Sequence, residues 1–218
     1  MKRRMMALTL LGLLAGCSTA QKLHYYSLDV DSPKPTSIMV QPQHQLVLQP
    51  VALSDQINRM SLVYQLEGNE LHFAEYHRWA GPLDAQLNQL TLNGLSSRLP
   101  GWVVRQDGAR KVPVLAISVE RFQGRHDGRA LLSGRWRLLT EEGVVLRDVP
   151  FQQELVLPAD GYGSLVDQLG QGWQLLVDHI ATELRIGLEM NAKKLISLPL
   201  RQATTVDVLL GSSVELPL

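Results

Sequence analysis

The chain has 218 residues, with 21 basic side chains balancing 21 acidic ones and a hydrophobic share of 45%, enough for one substantial core or two small domains. Such a balance lacks the concentrated basic patch that nucleic-acid binding calls for, so no nucleic-acid partner is expected. Cys17 is the only cysteine, which excludes an internal disulfide.

Lys2, Arg3 and Arg4 precede an apolar run from Met5 to Leu14. This is the pattern of a secretory signal peptide, well short of the ~20 apolar residues of a spanning helix. Leu14-Ala15-Gly16-Cys17 then closes on the small-residue-then-cysteine pattern of a bacterial lipoprotein. Residues 1–16 are therefore expected to be removed, leaving Cys17 lipidated at the head of the mature chain, with residues 17–24 as its tether. Each buried methylene contributes ~0.8 kcal/mol, so several acyl chains together anchor stably where one does not. Mature lipoproteins with signals of this kind carry three. Ser18 stands where an aspartate would resemble an inner-membrane retention signal, so the expected destination is the outer membrane, with the body in the periplasm. Loss of Lys2, Arg3 and Arg4 leaves 18 basic against 21 acidic residues.

Leu23 to Val30 reads as a first strand, with Tyr26 and Leu28 on one face and Tyr25 and Ser27 on the other. Pro33 and Pro35 mark a loop. Gln45 to Leu53 reads as a second strand in which Pro50 signals a bulge, an edge or an end. Ser61–Leu66 and Leu71–Tyr76 flank Glu67-Gly68-Asn69-Glu70, a hairpin with a Gly-Asn turn. Pro82 opens a helix that runs to about Leu99 and stops at Pro100-Gly101. Leu83, Leu87 and Leu90 share one of its faces, and Leu92, Leu95 and Leu99 nearly the opposite one. Such a helix is sandwiched within one domain, or bent at Gly94, or presents its second stripe to a partner.

Val112–Phe122, Arg129–Leu139 and Val144–Leu157 alternate apolar and polar across the turns Gly124–Gly128 and Glu141–Gly143. They predict an antiparallel meander with one face buried. Leu132, Trp136 and Leu138 face inward, Arg135 and Arg137 outward. Ser164-Leu165-Val166-Asp167 resembles a capping box. Behind it, Leu165, Leu169, Trp173, Leu176, Ile180 and Leu184 form one apolar stripe that ends near Gly187 and suits covering the sheet. Residues 190–218 carry no consistent pattern and are set apart from a single domain over 25–189.

No catalytic or metal motif is present: neither G-x-S-x-G nor H-E-x-x-H occurs. Gly170-Gln171-Gly172 lies inside the second helix and lacks the third glycine of a dinucleotide fingerprint. His72, Glu75 and His77 cluster in sequence, but on a strand His72 faces away from the other two, and zinc needs three or four convergent ligands. Asp29 and Asp31 alone are weak support for acid–base chemistry. The chain is not expected to be an enzyme or to hold a cofactor beyond the covalent lipid on Cys17.

Several segments taken in order carry a resemblance. Tyr25-Tyr26-Ser27-Leu28 soon after the cysteine, Val47-Leu48-Gln49-Pro50-Val51, and Ile57-Asn58-Arg59-Met60-Ser61-Leu62-Val63-Tyr64-Gln65 are three of them. Asn69-Glu70-Leu71 at the hairpin, Arg78-Trp79-Ala80-Gly81-Pro82-Leu83 and the final amphipathic helix follow. Together they resemble the PqiC-type lipoproteins, auxiliary components of ABC-type and MCE-type lipid transport systems. Gly81 departs from the family's usual glutamate and Ser54 from its common proline.

The resemblance implies an α+β fold, a mainly antiparallel sheet with two amphipathic helices packed on one face. It also implies an outer-membrane-anchored docking subunit for an MCE-domain protein that spans the periplasm from an inner-membrane partner, supporting envelope integrity. Tethering would raise the local concentration of that partner. A closed ring of identical subunits would suit a symmetric channel. Candidate contact residues are Arg78 and Trp79 before the first helix, and Leu92, Leu95 and Leu99 on its second stripe. The alternative is a free-standing lipid-binding lipoprotein that holds an acyl chain between helices and sheet.

Overall fold

The computed structural model describes residues 21–28, 44–107 and 112–197, with side chains as far as residue 187. The signal segment, Cys17, the loop at Pro33 and Pro35, Asp29, Asp31 and the tail from residue 198 lie outside the described residues. The chain divides into a compact unit through Ala181 and a second unit from Thr182.

The fold is α+β. Its strands are β1 (His24–Tyr26), β2 (His44–Leu48), β3 (Ala52–Leu53), β4 (Ser61–Gln65), β5 (Leu71–Trp79), β6 (Trp102–Arg105), β7 (Val114–Arg125), β8 (Arg129–Leu139) and β9 (Val145–Val156). Helix α1 (Leu83–Arg98) lies between β5 and β6, and helix α2 (Tyr162–Ser197) follows β9. The single sheet is mostly antiparallel and is organised around β7. One edge of β7 carries the expected meander, with Ile117 opposite Trp136 and Trp136 opposite Val149.

The other edge of β7 is shared along its length by three short parallel strands. β2 pairs through Val47↔Val114, β3 through Leu53↔Val119 and β4 through Tyr64↔Gly124. β6 lies parallel outside β2, β5 antiparallel outside β4, and β1 parallel outside β5. These parallel pairs are invisible to alternation alone, because they join segments separated by long crossovers.

Local chemistry explains where strands begin and stop. The single strand expected over 45–53 is two, β2 and β3, because Pro50 has no N–H to give the ladder and the chain steps along the β7 edge there. The first strand is shorter than expected. The Leu28 N–H leaves the ladder and donates instead to Gln86 Oε1 on α1 at 2.9 Å. At the hairpin, Gly68 takes φ +72°, the left-handed region in which glycine lacks a steric penalty. β5 continues past Tyr76 to Trp79. Ser61 pairs with Arg78 but Leu62 with Ala74, so residues 75–77 bulge out of the ladder.

α1 starts behind Pro82, as expected, and ends where the Leu99 N–H donates to Leu95 O at 2.9 Å. Its two leucine stripes are both explained by the sandwich. One side reaches the sheet, where buried Asn88 Oδ1 accepts from the Val51 N–H at 3.1 Å. The other reaches α2, where a Cβ on Gly94 would come within 2.8 Å of Val177 Cγ1. Gly94 marks that close approach between helices. Arg98 at the helix end pairs with Asp178 and donates to Gln174 Oε1 at 3.0 Å.

The capping box expected at Ser164 is not made: the Ser164 hydroxyl accepts from the Ala159 N–H, and the helix begins earlier, at Tyr162. It continues beyond Gly187 to Ser197. Within the compact unit, Leu165, Leu169, Trp173, Leu176 and Ile180 are all buried. Rings of Trp79, Phe122 and Trp173 contact one another in series, at 5.9 and 6.3 Å between centroids, joining β5, β7 and α2 through the core. Trp173 Nε1–H donates to Thr91 Oγ1 at 3.1 Å, satisfying a buried donor.

Candidate functional site

The residues with the most distinctive chemistry gather where the described chain begins, against the N-terminus of α2. Parallel pairing of β1 with β5 sets His24 opposite His77, and their rings stack at 5.1 Å. Tyr26, two residues along the same face of β1, shares a hydrogen bond between its hydroxyl and His77 Nδ1 at 2.9 Å. Tyr162, the first residue of α2, also stacks on His77, at 4.0 Å. Burial, together with the neighbouring His24, pushes the His77 pKa below the usual histidine value. Burial likewise raises the Tyr26 and Tyr162 phenols. The group is a hydrogen-bonded aromatic stack.

Two shallow clefts flank Tyr162. One, of about 330 Å3, is bounded by Lys22, His24, His72, Tyr76 and His77. The other, of about 300 Å3, is bounded by Tyr64, His126, Leu157, Asp160 and Leu165. Their walls offer ring faces and phenol hydroxyls and carry one cation, Lys22, beside Glu75 and Asp160. Such a surface can associate with amphipathic groups. Among the described residues no group of three or more His, Cys, Asp or Glu is placed to hold a metal ion. His72 is exposed and does not join the stack around His77.

Beside the second cleft, Arg125 donates to Asp127 at 2.7 Å and Glu154 at 2.9 Å, and Arg129 donates to Glu154 at 3.2 Å. Hydrogen bonding from Arg125 holds both carboxylates below their usual range. This network closes the β7–β8 turn, where Gly128 has φ +73°.

The residues expected to meet a partner fall into two groups. Trp79, Leu95 and Leu99 are buried in this chain's own core, which corrects the expectation that they are exposed. Trp79 follows the β5 bulge inward, and the second leucine stripe is covered inside the domain. Arg78 and Leu92 are half-buried, and Arg78 Nε donates to Glu75 O at 2.8 Å. Gly172, part of the rejected glycine pair, lets α2 approach the sheet: a Cβ there would meet Leu155 Cδ1 at 2.8 Å. The tyrosine–histidine stack escaped sequence reading because its members come from β1, β5 and α2, and no local spacing links them.

This fold, a β7-centred sheet covered by two helices behind a lipoprotein-type leader, places the chain in a defined class. Residues 26–181 match the family of ABC-type transport auxiliary lipoprotein components, and the chain belongs to that family. It is 34% identical over 174 residues to the intermembrane transport lipoprotein PqiC of Escherichia coli strain K12, an alignment covering 79% of this chain and 92% of that protein. The PqiC of Shigella flexneri aligns with the same identity and coverage. A crystal structure of an uncharacterized protein, 33% identical, superimposes with a TM-score of 0.66 over 75% of this chain and 99% of that one. A Xanthomonas campestris protein, 15% identical, shares the fold with a TM-score of 0.64 over 78% of this chain and 99% of its own.

Proposed function

We propose that this lipoprotein is anchored through Cys17 in the outer membrane and acts as the docking subunit of an MCE-type intermembrane lipid transport system. In this role it supports envelope integrity from the periplasmic side. The observation that carries the reading is the near full-length match to an intermembrane transport lipoprotein, on a chain whose leader ends in Leu-Ala-Gly-Cys. No helix of the described residues is long and apolar enough to cross a membrane, so a lipid on Cys17 would supply the attachment. The work is positional: a tethered domain raises the local concentration of a bridging partner. Arg78 and Leu92 remain as contact residues for an MCE-domain protein that reaches back to its inner-membrane component, and a ring of identical subunits would match a symmetric channel. Catalysis has no part in this reading.

The competing reading, an acyl chain held between sheet and helices, finds that space occupied by Trp79, Phe122, Trp136 and Trp173. Affinity purification of the lipidated protein from gently solubilised envelopes, with mass spectrometry of what is retained, tests the proposal. Recovery of an MCE-domain protein, lost on Cys17→Ala, is expected. Recovery of the protein alone would overturn the docking role.

A further inference from the structure

We infer that the end of the domain bearing Lys22, Leu23, Tyr25, Tyr76 and Tyr162 rests on the phospholipid headgroups of the membrane to which the chain is anchored. The tether therefore ends in a second, non-covalent membrane contact with fixed orientation. This inference rests on lipidation of Cys17 and goes beyond the docking role.

Three observations carry it. The first is reach. The described chain begins at Gln21, four residues after Cys17, and four residues span at most about 14 Å when fully extended. The headgroup layer on each side of a bilayer accounts for roughly 5–7 Å of that. Gln21 and Lys22 are thus held at or just above the lipid surface, and whatever surrounds them is held there too.

The second is composition. Gln21 and Lys22 lie against His24, His72, Tyr76, His77 and Tyr162 around one cleft. Large apolar side chains are exposed in the same region: Leu23 at 41%, Tyr25 at 60% and Tyr76 at 42%. Tyrosine combines an apolar ring with a polar tip and is enriched at the membrane–water boundary for that reason. β1, which carries Tyr25, is the outermost strand on this side of the sheet.

The third is charge. Around the clefts Lys22 is offset by Glu75 and Asp160, and the adjacent hairpin turn carries Glu67 and Glu70. Attraction to anionic lipid is therefore not the driving force. The contact is of the tyrosine-interface kind and suits a zwitterionic headgroup layer. The β8–β9 turn at Glu141 then points away from the lipid. The 12 residues of β7 span about 36 Å between the two ends of the β7–β8 hairpin.

Because Cys17 is the only cysteine, acylation leaves any introduced cysteine as the unique thiol. The full-length lipidated protein is prepared with Tyr76→Cys, Tyr25→Cys or Glu141→Cys, and each variant carries one fluorescent label. Each is reconstituted into phosphatidylcholine vesicles containing a small fraction of headgroup-spin-labelled lipid, with or without phosphatidylglycerol. Labels at 76 and 25 are expected to be quenched several-fold more than the label at 141, independently of phosphatidylglycerol. Equal quenching at all three positions overturns the inference, as does a contact that requires phosphatidylglycerol. Co-flotation with vesicles and the acyl mass on the N-terminal peptide are read on the same samples. Protein that lacks the acyl mass and fails to float refutes the anchoring reading itself. Protein that floats with water-exposed labels at 76 and 25 refutes only the orientation, and leaves that edge for a protein partner.

Discussion

Among the described glycines, Gly134 has the least room for a side chain. A Cβ there would collide with the Ser118 carbonyl oxygen and come within 2.8 Å of Phe151 Cζ. It sits beside the β7 irregularity between Val119 and Arg121. Because the opposing atom is backbone, Gly134→Ala should cost towards the upper end of the ~1–3 kcal/mol typical of overpacking. Gly94→Ala meets the side chain of Val177 and gains helix propensity of up to ~1 kcal/mol, so it should cost less. Urea midpoints of the two variants check the order. Charge gives a second test at this scale. Asp127 and Glu154 are held below their usual range by Arg125. Their contribution to stability is present above the ordinary carboxylate range and is lost as pH falls through the lowered values. Glu154→Gln should therefore lower the denaturation midpoint at neutral pH, and the difference from wild type should shrink at about pH 3, below the usual carboxylate values.

Among the elements, those with a strong period were legible. The stripe Leu165, Leu169, Trp173, Leu176, Ile180 announces α2 because every fourth or third residue must face the sheet, and the meander follows from alternation through Leu115, Ile117 and Val119. α1 was harder to interpret. Its buried positions include Asn88, Thr91 and Gly94, so it has no single apolar stripe to reveal how many sides are covered. The stripe of Leu92, Leu95 and Leu99 left open a sandwiched helix, a bend at Gly94 or a partner contact, and the burial of Leu95 and Leu99 within the domain fits the sandwich. The consequence is a contrast between neighbours. Leu95→Asp places a charge at a position with 0% exposure and should unfold the domain, since an unpaired buried charge is strongly destabilising. Leu92→Glu should leave melting nearly unchanged and, if this helix face meets the bridging partner, reduce its co-purification. Circular dichroism melting beside the pull-down separates the two effects.

In the molecule as a whole, class and architecture were readable from ordered short motifs, Tyr25-Tyr26-Ser27-Leu28 through Arg78-Trp79-Ala80-Gly81-Pro82-Leu83, because each lies where a strand edge or a helix start constrains the residue type. The candidate site was not readable. His77 acquires its meaning from Tyr26 and Tyr162, which arrive from the two ends of the domain. The five parallel pairings were hidden for the same reason.

Three of those pairings bear on how the chain reaches this structure. β2, β3 and β4 each complete themselves only along β7, which lies well downstream of all of them. A chain made from its N-terminus therefore carries three short strands with unpaired edges until β7 appears. The β7–β8–β9 meander closes through local turns and can form early, whereas loop-closure entropy delays the long-range pairings. The meander is thus the template on which the first half of the sheet is laid down. A chain halted before Val114 would hold open strand edges, and edges of that kind invite aggregation. Folding deferred until every strand is present is the order of events this topology favours.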